Sequence, residues 1–251
     1  MALRILGAVV VLTGLMCLVG CETVPQHVVP EAYPASGPTG IRMGLTYQHN
    51  FRAEHFFPYW DASDFWKDSW GGTVEIPVDV SPYFGGYFGV GYEHYKGESG
   101  TVELPGGTKE PAKMDSINLL PIYVGVVGRY PFWLDQEKWE KAVDTVWLPE
   151  PPVGFAPYAR GAFGGAILLN SPDIVYKRTG EDWRAFDYQL FPFLEGALGL
   201  EYRNEGIGYW AEVGYRFYIL SNRARGGFGG SDRMAHMGGV RAQAGITIYF
   251  P

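Results

Sequence analysis

From residue 40 onward, apolar positions alternate with polar or small ones at a period of two, the period of a strand with two unlike faces. In IRMGLTYQ, Ile41, Met43, Leu45 and Tyr47 share one face, and Arg42, Gly44, Thr46 and Gln48 the other. TVEIPVDV sets Val74, Ile76, Val78 and Val80 against Glu75 and Asp79, and YFGVGYEHY sets Phe88, Val90 and Tyr92 against Gly89, Gly91 and Glu93. SINLLPIYVGVVGRY is the most apolar run; Leu120, Ile122, Val124 and Val126 are assigned to one face, with Tyr123, Gly125 and Arg129 opposite. FAPYARGAFGGAI opposes Phe155, Ala159, Phe163 and Ile167 to Tyr158 and Arg160, while LFPFLEGALGLEYR opposes Leu194, Leu198, Leu200 and Tyr202 to Glu195, Ala197, Gly199 and Glu201. IGYWAEVGYRFYI places Ile207, Tyr209, Ala211, Val213, Tyr215 and Phe217 against Trp210, Glu212, Gly214 and Arg216. The closing VRAQAGITIYFP places Val240, Ala242, Ala244, Ile246, Ile248 and Phe250 against Arg241, Gln243, Gly245 and Thr247.

These segments make about eight strands, most of roughly 9–11 residues, the length that crosses a bilayer at a tilt. Residues 49–71, 97–113, 169–187 and 220–237 read as long loops, and SPYFGG and RNEG as short turns. Long connections at one end and short turns at the other are the pattern of an all-β, eight-stranded antiparallel up-and-down transmembrane β-barrel, with the last strand closing on residues 40–48. The connection 131–154 breaks the alternation and predicts one short amphipathic helix carrying Trp133, Leu134, Trp139, Val143 and Trp147, set against a membrane surface or capping the barrel mouth.

Alternation alone does not separate a membrane barrel from a soluble lipocalin-like one; the second face does. It carries Arg42, Glu75, Asp79, Glu93, Arg129, Arg160, Glu195, Glu201, Glu212, Arg216 and Arg241 among glycines. Every lysine lies outside the strands or at their edges: Lys67, Lys96, Lys109, Lys113, Lys138, Lys141 and Lys177. Arginine's planar fork suits packed, multiply bonded pairs, and an eight-stranded barrel has room for side chains and little else. These residues are expected to form a barrel-interior charge network that plugs the lumen. Tyr47, Tyr92, Tyr130, Phe155, Tyr202, Phe217 and Phe250 lie near strand ends on the apolar face, as interfacial girdles would.

The chain has 251 residues, a formal charge of -7 and 35 glycines. The acidic balance excludes nucleic acid as a main partner. MALRILGAVVVLTGLMCLVGC has an early Arg4 and one apolar run, as an export signal does, and ends in Leu18-Val19-Gly20-Cys21, a lipobox whose cysteine becomes the lipidated first residue. The expected organisation is a signal peptide over 1–20, a lipidated tether over 21–39 and the barrel over 40–251. Cys17 falls within the leader, so the mature chain keeps Cys21 alone and has no internal disulfide.

INLLPIYVGVVGRYPF leading to FAPYARGAFGGA resembles the OmpA/OmpW-like outer membrane β-barrel domain family. The resemblance spans residues 40–251 and implies an eight-stranded barrel in the Gram-negative outer membrane, recognised by the barrel-assembly machinery and in contact with outer-membrane lipids. It implies no reaction. Most members carry no lipobox, and here Pro251 follows the terminal aromatic Phe250.

No strong catalytic motif is present. GGFGG at 226–230 lacks the Lys-Ser/Thr of a phosphate loop. The 49–71 loop holds His49, Glu54, His55, Asp61 and Asp64 without metal-ligand spacing; its aromatic residues Phe56, Phe57, Tyr59, Trp60, Phe65, Trp66 and Trp70 are set to pack on the rim or to contact lipid or a surface partner. Some eight-stranded barrels are lipid-modifying enzymes, and lipid A deacylases place His and Ser two apart on one strand; here the nearest substitute is His94 with Ser116 on the next strand, without an orienting acid. The reading is a non-enzymatic barrel lipoprotein with a structural or surface-interaction role and no cofactor or metal. The alternatives are a lipid-modifying barrel enzyme and a lipidated lipocalin-like carrier of a small apolar ligand.

Overall fold

The computed structural model describes residues 39–51, 65–80, 83–103, 109–132, 154–170, 173–176, 182–184, 190–204, 206–221 and 234–250. Eight long strands form the main body: β1 (Gly40–Asn50), β2 (Asp68–Asp79), β3 (Phe84–Tyr95), β6 (Ile117–Arg129), β7 (Gly154–Leu168), β10 (Leu190–Asn204), β11 (Ile207–Ser221) and β12 (Met234–Tyr249). Each pairs antiparallel with the next, and β12 pairs with β1 from Gly40↔Tyr249 to Asn50↔Gly239, closing the ring. Closure leaves no free edge, the condition under which a strand can stand in lipid.

The register fixes the stagger. Asn50 faces Gly239, Gly239 faces Arg216, and the row continues through Glu195, Ala162, Gly125 and Tyr87 to Pro77. Continuing the β1–β2 ladder beyond Arg42↔Glu75 sets Pro77 opposite Gly40, ten residues from the starting Asn50. With eight strands, that shear tilts them by about 40° to the barrel axis. From Val240 to Phe250 the outward face of β12 is apolar throughout, which at this tilt spans about 25 Å of height.

The two faces separate cleanly. Leu45, Phe163 and Leu198 point outward with 77%, 62% and 66% of their surface exposed, whereas Arg216, Arg241 and Glu75 point inward and are buried to 0%, 1% and 1%. The soluble lipocalin-like arrangement, with the apolar face inward, is therefore not the one this chain adopts. Aromatic residues gather at both ends of the outer wall. At the short-turn end Phe155 stacks near Tyr202 (4.8 Å) and Tyr130 near Phe132 (5.4 Å); at the long-loop end Tyr47 lies 4.6 Å from Trp70 and Phe51 lies 5.6 Å from Tyr215.

The long connections are more ordered than their composition suggests. Residues 97–113 contain β4 (Ser99–Glu103) and all but the last residue of β5 (Lys109–Met114), and residues 169–187 contain β8 (Asp173–Tyr176) and β9 (Asp182–Arg184). These pair across the two connections into a second sheet of order β4-β5-β8-β9. The reading of both stretches as loops is thus corrected: SGTVE and DIVY are short β-prone runs, and their partners lie in different connections, out of reach of a local pattern. The first connection is also shorter than 49–71, because β1 runs to Asn50 and β2 starts at Asp68. In the β10–β11 turn, Gly206 takes φ +89°, a conformation open to glycine at little cost. The helix expected over 131–154 falls almost entirely outside the described residues, and among the described residues there is none.

Candidate functional site

The inward face of the strands builds one connected ion-pair network. Arg160, on β7, reaches across the lumen: its Nη1 donates to both carboxylate oxygens of Glu75 on β2 at 2.9 Å, and its Nη2 donates to Glu195 on β10 at 2.9 Å. Its Nε lies 3.2 Å from Glu212. Arg42 joins Glu75 (3.4 Å) to Glu212 (2.8 Å). Arg216 bonds both Glu93 and Glu195, and Arg241 meets the same two carboxylates, donating to Glu93 at 2.5 Å. Four arginines thus face four glutamates, and the charges cancel. Cancellation is what makes burial tolerable, since an isolated charge in this setting would cost several kcal/mol.

Tyrosines and glutamine take up the remaining lone pairs. Tyr123 donates to Glu75 (2.8 Å), Tyr158 to Glu212 (2.8 Å), Tyr218 to Glu93 (2.7 Å) and Tyr95 to Glu93 (3.0 Å), while Gln243 donates to Glu212 (2.8 Å). The guanidinium planes lie over rings, Arg42 at 3.7 Å from Trp210 and Arg216 at 4.4 Å from Phe193. Room for those rings comes from glycine. Tyr123 faces Gly89 across the β3–β6 ladder and Tyr87 faces Gly125; a Cβ at either glycine would collide with the ring opposite. Tyr158 lies over Gly199 in the same way. The glycine-rich inner face is therefore the complement of a tyrosine-lined lumen.

Both mouths are filled differently. At the short-turn end Arg129 makes a fork on Asp79 (3.0 and 2.8 Å), and Arg203 lies 3.7 Å from Asp79 and 3.4 Å from Glu201, which also accepts a hydrogen bond from Tyr249. Arg203 had no place in the sequence-based set because it sits in RNEG, the stretch that reads as a turn; β10 runs on to Asn204 and carries it inside. At the long-loop end the filling is apolar: Phe65, Trp66, Met114, Ile117, Leu119, Leu168, Phe191 and Met237 belong to one buried cluster. Trp66 donates its Nε1–H to the Asp115 carbonyl at 2.9 Å. So two of the loop aromatics, Phe65 and Trp66, are buried in the mouth, whereas Trp70 lies on β2 and faces outward with 66% of its surface exposed.

His94 and Ser116 are not joined. The His94 Nδ1 lies 2.8 Å from the Asn118 Oδ1, and the Ser116 hydroxyl accepts the Gly97 N–H at 3.2 Å. His94 does gain an orienting group that the sequence had not suggested, because Asn118 lies directly opposite it across the ladder. His49 pairs with Asp68 (2.8 Å) on the outer wall. Glu54, His55, Asp61, Asp64, Phe56, Phe57, Tyr59 and Trp60 lie outside the described residues, as does Cys21. Among the described residues no group of three or more metal-ligating side chains gathers.

No family model matches the chain, and no curated protein matches it. Among solved structures, Neisserial surface protein A aligns at 10% identity and TM-score 0.44, covering 86% of this chain and 99% of that one. The N-terminal β-barrel domain of Pseudomonas aeruginosa OprF aligns at 11% identity and TM-score 0.37, covering 85% and 99%. The outer membrane protease OmpT from Escherichia coli aligns at 9% identity and TM-score 0.44, covering 86% and 98%. None of these likenesses assigns a role to this chain.

Proposed function

We propose that this chain is a non-enzymatic integral outer-membrane β-barrel of a Gram-negative bacterium, with a structural or surface-interaction role and a lumen closed to solutes. The observation that carries the reading is the inversion of the two faces: four Arg–Glu pairs inside, and large exposed aliphatic and aromatic side chains outside. In water, such an exterior would be an apolar patch far beyond what a soluble monomer exposes. In a bilayer it is the expected surface, and an apolar height of about 25 Å fits the hydrocarbon layer. The leader over 1–20 supplies export and Cys21 a lipid anchor, with residues 21–39 as the tether. The barrel-assembly machinery would then receive a chain that closes through β1 and β12.

The test is reconstitution. The chain refolded into vesicles migrates faster on a gel before boiling than after, and planar bilayers containing it stay electrically silent. A chain that remains in the aqueous phase once its acyl chains are removed defeats the membrane reading; steady conductance in the folded protein defeats the closed lumen.

A second reading, a lipid-modifying enzyme, gains support from one contact: Asn118 holds the His94 Nδ1, as an orienting group holds a general base. Ser116 lies two residues before Asn118 in the chain. Exchange of His94 or Ser116 for alanine, with lipid A followed by mass spectrometry, decides it: an unchanged lipid profile removes this reading.

A further inference from the structure

We infer that the outer wall formed by β1, β2, β3 and β6, near the long-loop rim, binds the saccharide headgroup of a glycolipid in the surrounding membrane. This rests on the membrane reading above. Tyr47, Trp70, His94 and Asn118 lie directly opposite one another across the four strands, so their outward side chains form one continuous row. Next to it, toward the rim, His49 lies opposite Asp68. Among the described residues elsewhere on the outer wall near that rim, Ile167, Leu190 and Val240 are exposed and apolar, and Tyr215 lies beside Phe51. Among the described residues, the hydrogen-bonded polar side chains of the outer wall gather in this one sector.

The sector is held in place. The Asp68 Oδ1 accepts from the Tyr47 hydroxyl at 2.7 Å and from the His49 Nδ1 at 2.8 Å. The Asn118 Oδ1 accepts from the Tyr92 hydroxyl at 2.7 Å and from the His94 Nδ1 at 2.8 Å. Both acceptors are oxygens without a proton to give, so each imidazole meets its partner as a donor from Nδ1. Between the two imidazoles stands Trp70, its ring braced by Tyr47 at 4.6 Å.

An exposed indole face flanked by a carboxylate, an amide and two imidazoles is the chemistry of a sugar site. The C–H face of a pyranose lies on the ring, and its hydroxyls both donate and accept. A bare phosphate fits less well, because Asp68 opposes it and Lys67 is paired with Glu98 at 3.2 Å. The acyl part has its place as well: four residues below the row on each strand run Met43, Val74, Val90 and Ile122, again opposite one another and again outward. Sugar above and hydrocarbon below describe one amphiphile.

The experiment uses the full barrel in bilayers of phosphatidylglycerol mixed equally with an acylated glucosamine-disaccharide glycolipid, released for native mass spectrometry. Glycolipid adducts are expected to exceed phospholipid adducts about tenfold, which corresponds to about 1.4 kcal/mol. Trp70→Leu, which keeps the position apolar, and Asp68→Ala should each bring the ratio close to one while leaving heat-modifiable migration unchanged. Equal adducts in the unaltered protein, or enrichment that survives both substitutions, overturns the proposal. So does equally strong binding of the deacylated disaccharide to the barrel in detergent, which would make this a site for free sugar. Failure of the barrel to enter the bilayer at all overturns the membrane reading, and the proposal with it.

Discussion

Arg160→Met is the sharpest perturbation of the interior. The guanidinium is 1% exposed and serves three carboxylates: Glu75 and Glu195 through hydrogen bonds at 2.9 Å, and Glu212 at 3.2 Å. Methionine fills much of the volume but leaves three arginines facing four glutamates. Glu212 retains Arg42 at 2.8 Å, and Glu195 retains Arg216; Glu75 falls back on Arg42 at 3.4 Å and on the Tyr123 hydroxyl at 2.8 Å. Removing one partner of a buried pair costs about 3–5 kcal/mol, because the charge left behind stays desolvated. Adding Glu75→Gln removes the surplus charge while keeping an acceptor for Tyr123. The double variant should therefore recover at least about 1 kcal/mol relative to the sum of the two single losses. Urea unfolding in lipid vesicles, followed by tryptophan fluorescence and by gel migration, measures all four corners of this cycle. A single loss under about 1 kcal/mol, or strict additivity, would refute the view that the eight charges act as one neutral unit.

Other predictions follow from the same geometry. Gly89→Val drives a side chain into the Tyr123 ring and should cost about 1–3 kcal/mol, whereas Gly128→Ala, with nothing within 4 Å of the added carbon, should be silent in the same assay. Leu198→Arg, on the outer wall midway along β10, should cost about 2–4 kcal/mol in vesicles; a loss near zero would place that wall in water. Replacing Glu93, Arg216 and Arg241 together by serine removes three of the eight charged side chains that fill the lumen, and current steps should appear in planar bilayers where the unaltered barrel is silent. A folded, silent triple variant would show that the network is not what closes the lumen.

Period two was enough to sort most of the barrel, because in a closed antiparallel sheet parity alone decides which way a side chain points. Even β6, nearly all apolar, resolves as expected: Ile122, Val124 and Val126 are exposed, and Tyr123 is buried. The closing pair of β1 with β12 also follows, since the first and last strands of a meander must meet. What parity does not carry is height and partner. That Arg160 meets Glu75 across the lumen, besides Glu195 on the adjoining strand, depends on the shear, which no local window contains. The tyrosines that complete the network read as ordinary strand residues until their glycine partners are placed opposite them. The second sheet escaped for the same reason, its strands being contributed by two separate connections.

The central claim is that the apolar face meets lipid and the charged face meets only itself. A spin label at Leu198, Val213 or Phe163 reads this directly through its relaxation by oxygen, which concentrates in hydrocarbon, against a water-soluble nickel chelate. All three labels should relax with oxygen and ignore nickel, with the contrast fading toward Phe250 at the strand ends. Labels at these positions that relax with nickel and not with oxygen would put the apolar wall in water and contradict the account.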